Sequence, residues 1–126
     1  MALLEHVNIT VSDAQATADW MKDVFGWHIR WQGDAMNEQG YTIHVGTDDS
    51  YVALYCPKMQ TPKTDDNYTR VAALNHVAVT VSDLDAAEAK VNAAGFTAHT
   101  HADYEPGKRF YFHDQDGVEY EVVCYN

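Results

Sequence analysis

Val7, Ile9 and Val11 alternate with His6, Asn8 and Thr10, the period-two pattern of a strand with one buried face. Ser12 or Asp13 then offers an N-cap for a helix from Ala14 to Phe25, with Ala16, Trp20, Val24 and Phe25 on one face and Gly26 as its stop. Three further strands are predicted over Trp27 to Gln32, Tyr41 to Val45 and Tyr51 to Cys56. The alternation returns at Leu74 to Val81, followed by a helix from Leu84 to Ala94 stopped by Gly95. Strands over Phe96 to His101, Arg109 to His113 and Val118 to Tyr125 complete the series. The element order is βαβββ, twice.

The duplication is also visible letter by letter. LEHVNITVSD at Leu4 to Asp13 recurs as LNHVAVTVSD at Leu74 to Asp83, with seven of ten positions identical. Module one therefore spans 4–56, a proline-containing polar linker 57–73, and module two 74–126. Parity assigns Val7, Ile9, Val11, Val52, Leu54 and Cys56 to the helix-facing side, with Val77, Val79, Val81, Tyr120, Val122 and Cys124 in the second copy. The opposite face collects His6, Asn8, Thr10, Tyr51, Tyr55, His76, Thr80, Glu119 and Glu121. Strands two and three of each copy add His28, Arg30, Thr42, His44, His99, His101, Arg109 and His113 as candidates for it. A face this rich in imidazole, hydroxyl and carboxylate suits a wet cavity. The expected architecture is α+β: two tandem modules forming a cupped eight-stranded sheet around a cavity, helices outside.

Composition narrows the function classes. The chain has 126 residues, 46% hydrophobic and 21% charged, with fifteen aromatic residues, enough bulk for one packed core. Eight basic against nineteen acidic residues give a formal charge of −11, which repels phosphate backbones and anionic lipid. Nucleic-acid and membrane partners are therefore not expected. No apolar run approaches a membrane span, and MALLEHVNITV lacks the features of a signal peptide, so a cytoplasmic location is expected. Cys56 and Cys124 are too few for a disulfide framework, and their parity makes them buried small hydrophobes.

Two βαβββ units with a histidine near the start of strand one in each resemble the vicinal oxygen chelate superfamily, which includes glyoxalase I, extradiol dioxygenases, fosfomycin-resistance proteins and metal-free bleomycin-binding proteins. The resemblance rests on HVNITVSD, HVAVTVSD and FHDQDGVEYEVV, the last similar to an Asp-Pro-Asp-Gly-x-x-x-Glu signature with Gln115 in place of proline. It implies metal ligands on strands one and four of each module. These positions match His6, His76 and Glu121, while the first strand-four position falls on Ala53, which cannot ligate. Two histidines and a carboxylate leave positions open for a substrate with adjacent oxygens, and suit Fe, Mn, Ni, Co or Zn. The alternative for each histidine is a core imidazole satisfied by the backbone. Glu119 is a substitute or supporting partner for Glu121, and His44 is either a fourth ligand or a plain cavity histidine.

Arg30 and Arg109 would suit a substrate carboxylate or simply neutralise neighbouring acids; Tyr51, Tyr55 and His44 are further candidates for substrate contact. The resemblance implies a small-molecule substrate and a homodimer. The favoured reading is a glyoxalase-like metalloenzyme of lyase or isomerase type, with Glu121 as ligand and proton carrier. The alternatives are an iron-dependent extradiol-type dioxygenase, a fosfomycin-modifying transferase, or a metal-free small-molecule binder of bleomycin-resistance type.

Overall fold

The computed structural model describes residues 1–35 and 38–125; Asn126, the end of the expected second module, lies outside the described residues. The chain divides into two compact units, Met1–Thr61 and Pro62–Asn126. The first contains β1 (His6–Thr10), α1 (Ala14–Phe25), β2 (His28–Asp34), β3 (Gly40–Gly46) and β4 (Tyr51–Pro57). The second contains β5 (Val77–Thr80), α2 (Leu84–Ala93), β6 (His99–Tyr104), β7 (Gly107–His113) and β8 (Glu119–Tyr125). Both are α+β units of the expected βαβββ order.

Each unit builds its own four-stranded sheet, ordered β1-β4-β3-β2 in the first and β5-β8-β7-β6 in the second. The first strand pairs in parallel with the fourth, His6 opposite Tyr51 in unit one and Val77 opposite Tyr120 in unit two; the remaining pairs are antiparallel. A parallel pair needs a crossover, and the helix supplies it. In both units the turn into that helix is held in the same way. Asp13 Oδ1 accepts from Ala16 N at 3.0 Å and Asp83 Oδ1 from Ala86 N at 3.0 Å, satisfying a donor that the first helical turn leaves unpaired. The thiol of Cys56 donates to Ser12 O at 3.3 Å, and that of Cys124 to Ser82 O at 3.7 Å. The cysteines are half-buried rather than buried, because their thiols lie at the polar strand–helix turn instead of under the helix.

Helix α1 packs on β3 and β4, burying Trp20, Met21 and Val24 against Ile43, Val45, Val52 and Leu54. Helix α2 packs on β7 and β8 and buries only Ala87 and Val91, over Phe110, Phe112, Tyr120 and Val122. The first strand of each sheet is an edge, next to the fourth. At its start Val7 is 40% exposed although its parity matches the core, while Ile9 on the same strand is 6% exposed. Gly26 caps α1 in the left-handed region at φ 72°; α2 ends at Ala93, one residue short of expectation, with Ala94 as its right-handed cap, and the positive φ falls on Gly95.

The Asp-Gln-Asp-Gly segment is a scaffold device. Asp114 Oδ1 accepts from Asp116 N at 2.9 Å and Val118 N at 3.0 Å, tying the β7–β8 turn, while Tyr120 donates to Oδ2 at 3.3 Å. Burial pushes the Asp114 carboxyl up, opposed by those backbone donors. Strand β6 begins three residues later than expected. Phe96 stays outside the strand to stack on Phe112 (5.8 Å between centroids), and the backbone irregularity between His99 and Ala102 includes Thr100 at φ 56°.

Candidate functional site

The face of unit one away from α1 carries a stack of rings. His6 and His44 lie on the Tyr51 ring at 4.7 and 4.6 Å between centroids, and Trp31 adjoins His44 at 5.1 Å. Arg30 places its guanidinium over Tyr51 at 4.5 Å and donates to Thr47 O at 3.1 Å. His6 Nδ1 meets Glu5 Oε1 at 2.8 Å. Burial lowers the His44 pKa, helped by His6 and Arg30. Four of the expected residues thus come together here, while Tyr55 lies farther along β4 with its hydroxyl 3.4 Å from Gln39 O. Ala53 pairs with Asn8 on one side and His44 on the other, as Glu121 pairs with Ala78 and Tyr111 in unit two. Register therefore makes Ala53 the counterpart of Glu121.

Unit two places a charged network on the corresponding face. His76 Nε2 lies 3.0 Å from Glu121 Oε1, and Arg109 Nη1 donates to Glu121 Oε2 at 2.9 Å. The Glu121 and Arg109 side chains are 10% and 12% exposed, so the pair is largely desolvated. Such a pair costs about 3–5 kcal/mol when one partner is removed, because a charge stays buried alone. Arg109 Nε and Nη2 are buried with no hydrogen-bond partner among the described residues. Its Cζ lies 4.6 Å from the centre of the Tyr104 ring.

A second carboxylate, Glu119, is buried beside the first. The Tyr68 hydroxyl donates to it at 2.6 Å, and His113 Nε2 lies 3.3 Å away. That hydrogen bond, with burial and the negative charge behind it, pushes the Tyr68 phenol up to about 12. His113 Nδ1 continues to His99 Nε2 at 3.0 Å, and His99 Nδ1 to Thr100 Oγ1 at 2.8 Å. A cavity of about 370 Å³ opens here, lined by Tyr68, Asn75, His76, His99, Thr100, Tyr111 and Glu119. Burial and the Glu121 charge raise the Tyr111 pKa, so the phenol keeps its proton.

Sequence reasoning missed four lining residues, Tyr68, Asn75, Thr100 and Tyr111. Tyr111 shares the parity of Arg109 and His113 and was legible from it. Tyr68 lies in the expected linker, where no periodicity marks a side chain. His101 departs from expectation: the β6 irregularity turns it toward α2, where Nε2 meets Glu88 Oε1 at 2.8 Å.

Do these residues suit a divalent ion? Two cis ligands at about 2.1 Å from an octahedral ion stand about 3.0 Å apart, and the His76–Glu121 separation is 3.0 Å. Asn75 Oδ1, 2.6 Å from His76 Nδ1, takes the ring N–H and orients the imidazole. Nε2 then faces the carboxylate either as a second N–H or as a lone pair that a shared metal ion would take up. Arg109 on Oε2 leaves Oε1 for ligation. The donor chemistry fits, and unit two supplies a pair: among the described residues no group of three or more His, Cys, Asp or Glu is assembled as a metal cluster.

Comparison with known proteins follows the same lines. The family model for the Glyoxalase/Bleomycin resistance protein/Dioxygenase superfamily matches residues 3–122. The chain is similar to a glyoxylase/bleomycin resistance protein/dioxygenase domain from Frankia sp. EAN1pec, at 21% identity and TM-score 0.84, covering 100% of this chain and 93% of that one. It is similar to the fosfomycin resistance protein FosX from Listeria monocytogenes at 15% identity and TM-score 0.74, covering 100% and 95%. A glyoxalase I mutant from Zea mays aligns at 18% identity and TM-score 0.78, covering 95% of this chain and 45% of that one. At these identities the likeness shows the fold alone. No curated protein matches the chain.

Proposed function

This chain belongs to the Glyoxalase/Bleomycin resistance protein/Dioxygenase superfamily, and from that premise we propose that it is a metal-dependent enzyme of lyase or isomerase type acting on a small oxygen-rich molecule. The observation that carries the reading is the His76–Glu121 pair, nitrogen and oxygen 3.0 Å apart, with His76 lining a cavity of about 370 Å³. His76 and Glu121 are two of the ligands, and His6, the repeat counterpart of His76, is the third. A divalent ion held there (Fe, Mn, Ni, Co or Zn) supplies Lewis-acid stabilisation of negative charge developing on a substrate oxygen.

The chain's own groups do the rest. Asn75 fixes the His76 ring, and Arg109 fixes Glu121 while offsetting its charge. Tyr111 presents a protonated phenol to the cavity, able to donate to a substrate oxygen. Tyr68 holds Glu119 by donating its proton, so that carboxylate stays oriented at the cavity wall. Glu121 also carries a proton in the proposed isomerisation. Arg30, His44, Tyr51 and Tyr55 are proposed substrate contacts of unit one, and a homodimer, measurable by light scattering, is part of the same proposal.

One observation favours a second reading. Glu121 already has a cation on one oxygen and an imidazole on the other, a network complete without metal. A metal-free binding protein would use the same cavity to hold its ligand. Elemental mass spectrometry after reconstitution separates the two. Near-stoichiometric metal in the wild type, lost in His6→Ala, His76→Ala and Glu121→Ala, supports the enzyme. Failure to take up iron, manganese, nickel, cobalt or zinc replaces it with the binder.

A further inference from the structure

We propose that Arg109 is a two-point receptor for a carboxylate group of the substrate, an inference that rests on the small-molecule cavity of unit two proposed above. A guanidinium presents its N–H groups in a fixed planar fork. Arg109 spends Nη1 on Glu121 Oε2 at 2.9 Å. The two donors left over, Nε and Nη2, lie on one edge of the fork and point the same way. Both are buried with no partner among the described residues. An unpaired buried N–H is unfavourable, and two on one edge are spaced to match the two oxygens of a carboxylate.

The surroundings agree with a binding role. Arg109 shares its sheet face with Tyr111, which lines the cavity, and is joined through Glu121 to His76, which also lines it. The guanidinium lies under the Tyr104 ring, and Tyr104 is 57% exposed, so the cover is a surface side chain at the end of β6 rather than core. A ligand that displaces this ring gains the fork without disturbing the bond to Glu121. Glu121 offsets Arg109 and Glu119 adds a further buried negative charge, so a divalent ion held by His76 and Glu121 would supply the surplus positive charge for an incoming anion. The matching ligand is a small carboxylic acid, for which lactate and pyruvate serve as probes.

The test uses the whole ¹⁵N-labelled protein, with and without reconstituted metal. Arg30, Arg70 and Arg109 are its arginines, so Arg109→Lys assigns the Nε–H signal by its loss. Lactate and pyruvate are expected to shift that signal in the wild type, and lactamide is not. Arg109→Lys keeps the charge but not the fork, and should weaken lactate binding by about tenfold or more. Arg30→Lys and Arg70→Lys, both at exposed positions, assign the same signal by elimination if Arg109→Lys folds poorly. An Nε–H signal unmoved by every acid, equal shifts with lactamide, or tighter binding of methylphosphonate would overturn the proposal. Metal content of the same samples keeps the two readings apart. A lactate-specific shift in protein that takes up no metal sinks the enzyme and leaves the receptor; metal uptake without the shift does the reverse.

Discussion

Two units built from one repeated pattern carry opposite chemistry on matching positions. Register aligns Ala53 with Glu121, Thr42 with Arg109, Tyr51 with Glu119 and Gly46 with His113. Where unit one has an alanine, a threonine, a stacked tyrosine and a glycine, unit two has two buried carboxylates, an arginine and a histidine. The scaffold parts did not diverge in this way. Both aspartate caps, both cysteine-to-serine thiol contacts and both strand orders are the same. A glycine starts β3 and β7 alike, each where a Cβ would strike the backbone oxygen of a cysteine on the neighbouring strand, Cys56 or Cys124. The lesson is that the helix-side face and its turns define the fold, leaving the other face free to differ.

The sharpest way to break this comparison is to move a charge across it. Ala53→Glu buries a carboxylate where no arginine faces it, and should destabilise the protein by about 3–5 kcal/mol in urea unfolding. Adding Thr42→Arg should recover a measurable part of the loss; no recovery would mean the two faces are not interchangeable. Removing the charge from unit two is next in size. Glu121→Gln keeps an acceptor for Arg109 but not its counter-charge, and should cost about 3 kcal/mol by the same measurement.

The conserved scaffold predicts equality instead. Asp13→Ala and Asp83→Ala should each cost about 1 kcal/mol, and a difference beyond a few tenths would show that the caps are not equivalent. The smallest effect concerns Tyr68, whose phenol is pushed up to about 12 by Glu119. A raised folded pKa on an acid means the native state holds the proton longer. The associated stability is present below the unfolded value near 10 and lost as pH rises through about 12. Tyr68→Phe should remove a step near pH 12 from the absorbance titration at alkaline pH and flatten the stability loss over that window. An unchanged titration would place Tyr68 away from Glu119.

How far this was legible in sequence depends on periodicity. His6, His76, Glu121 and Arg109 were assigned to the face away from the helices because strand parity and repetition mark one face, and a two-residue period is hard to mistake. Tyr68 was not, since a loop side chain reaching Glu119 leaves no periodic trace. Strand β6 was misplaced because Phe96 reads as a strand residue by propensity, whereas in the fold it stacks on Phe112 beyond the strand. Val7 shows the reverse failure: its parity is right, but at the start of the edge strand it is 40% exposed, while Ile9 on the same strand is buried. Periodicity reports which side a residue faces, not how much lies above it.

The central claim is that His76 and Glu121 are the metal-holding half of an active site. A cobalt(II) titration followed by visible absorption tests it most directly, because ligand-field bands report imidazole and carboxylate coordination on the ion itself. The account predicts saturable bands in the wild type that are lost in His6→Ala, His76→Ala and Glu121→Gln. Bands that persist unchanged in all three variants, or a wild type with no bands at any cobalt concentration, would contradict it.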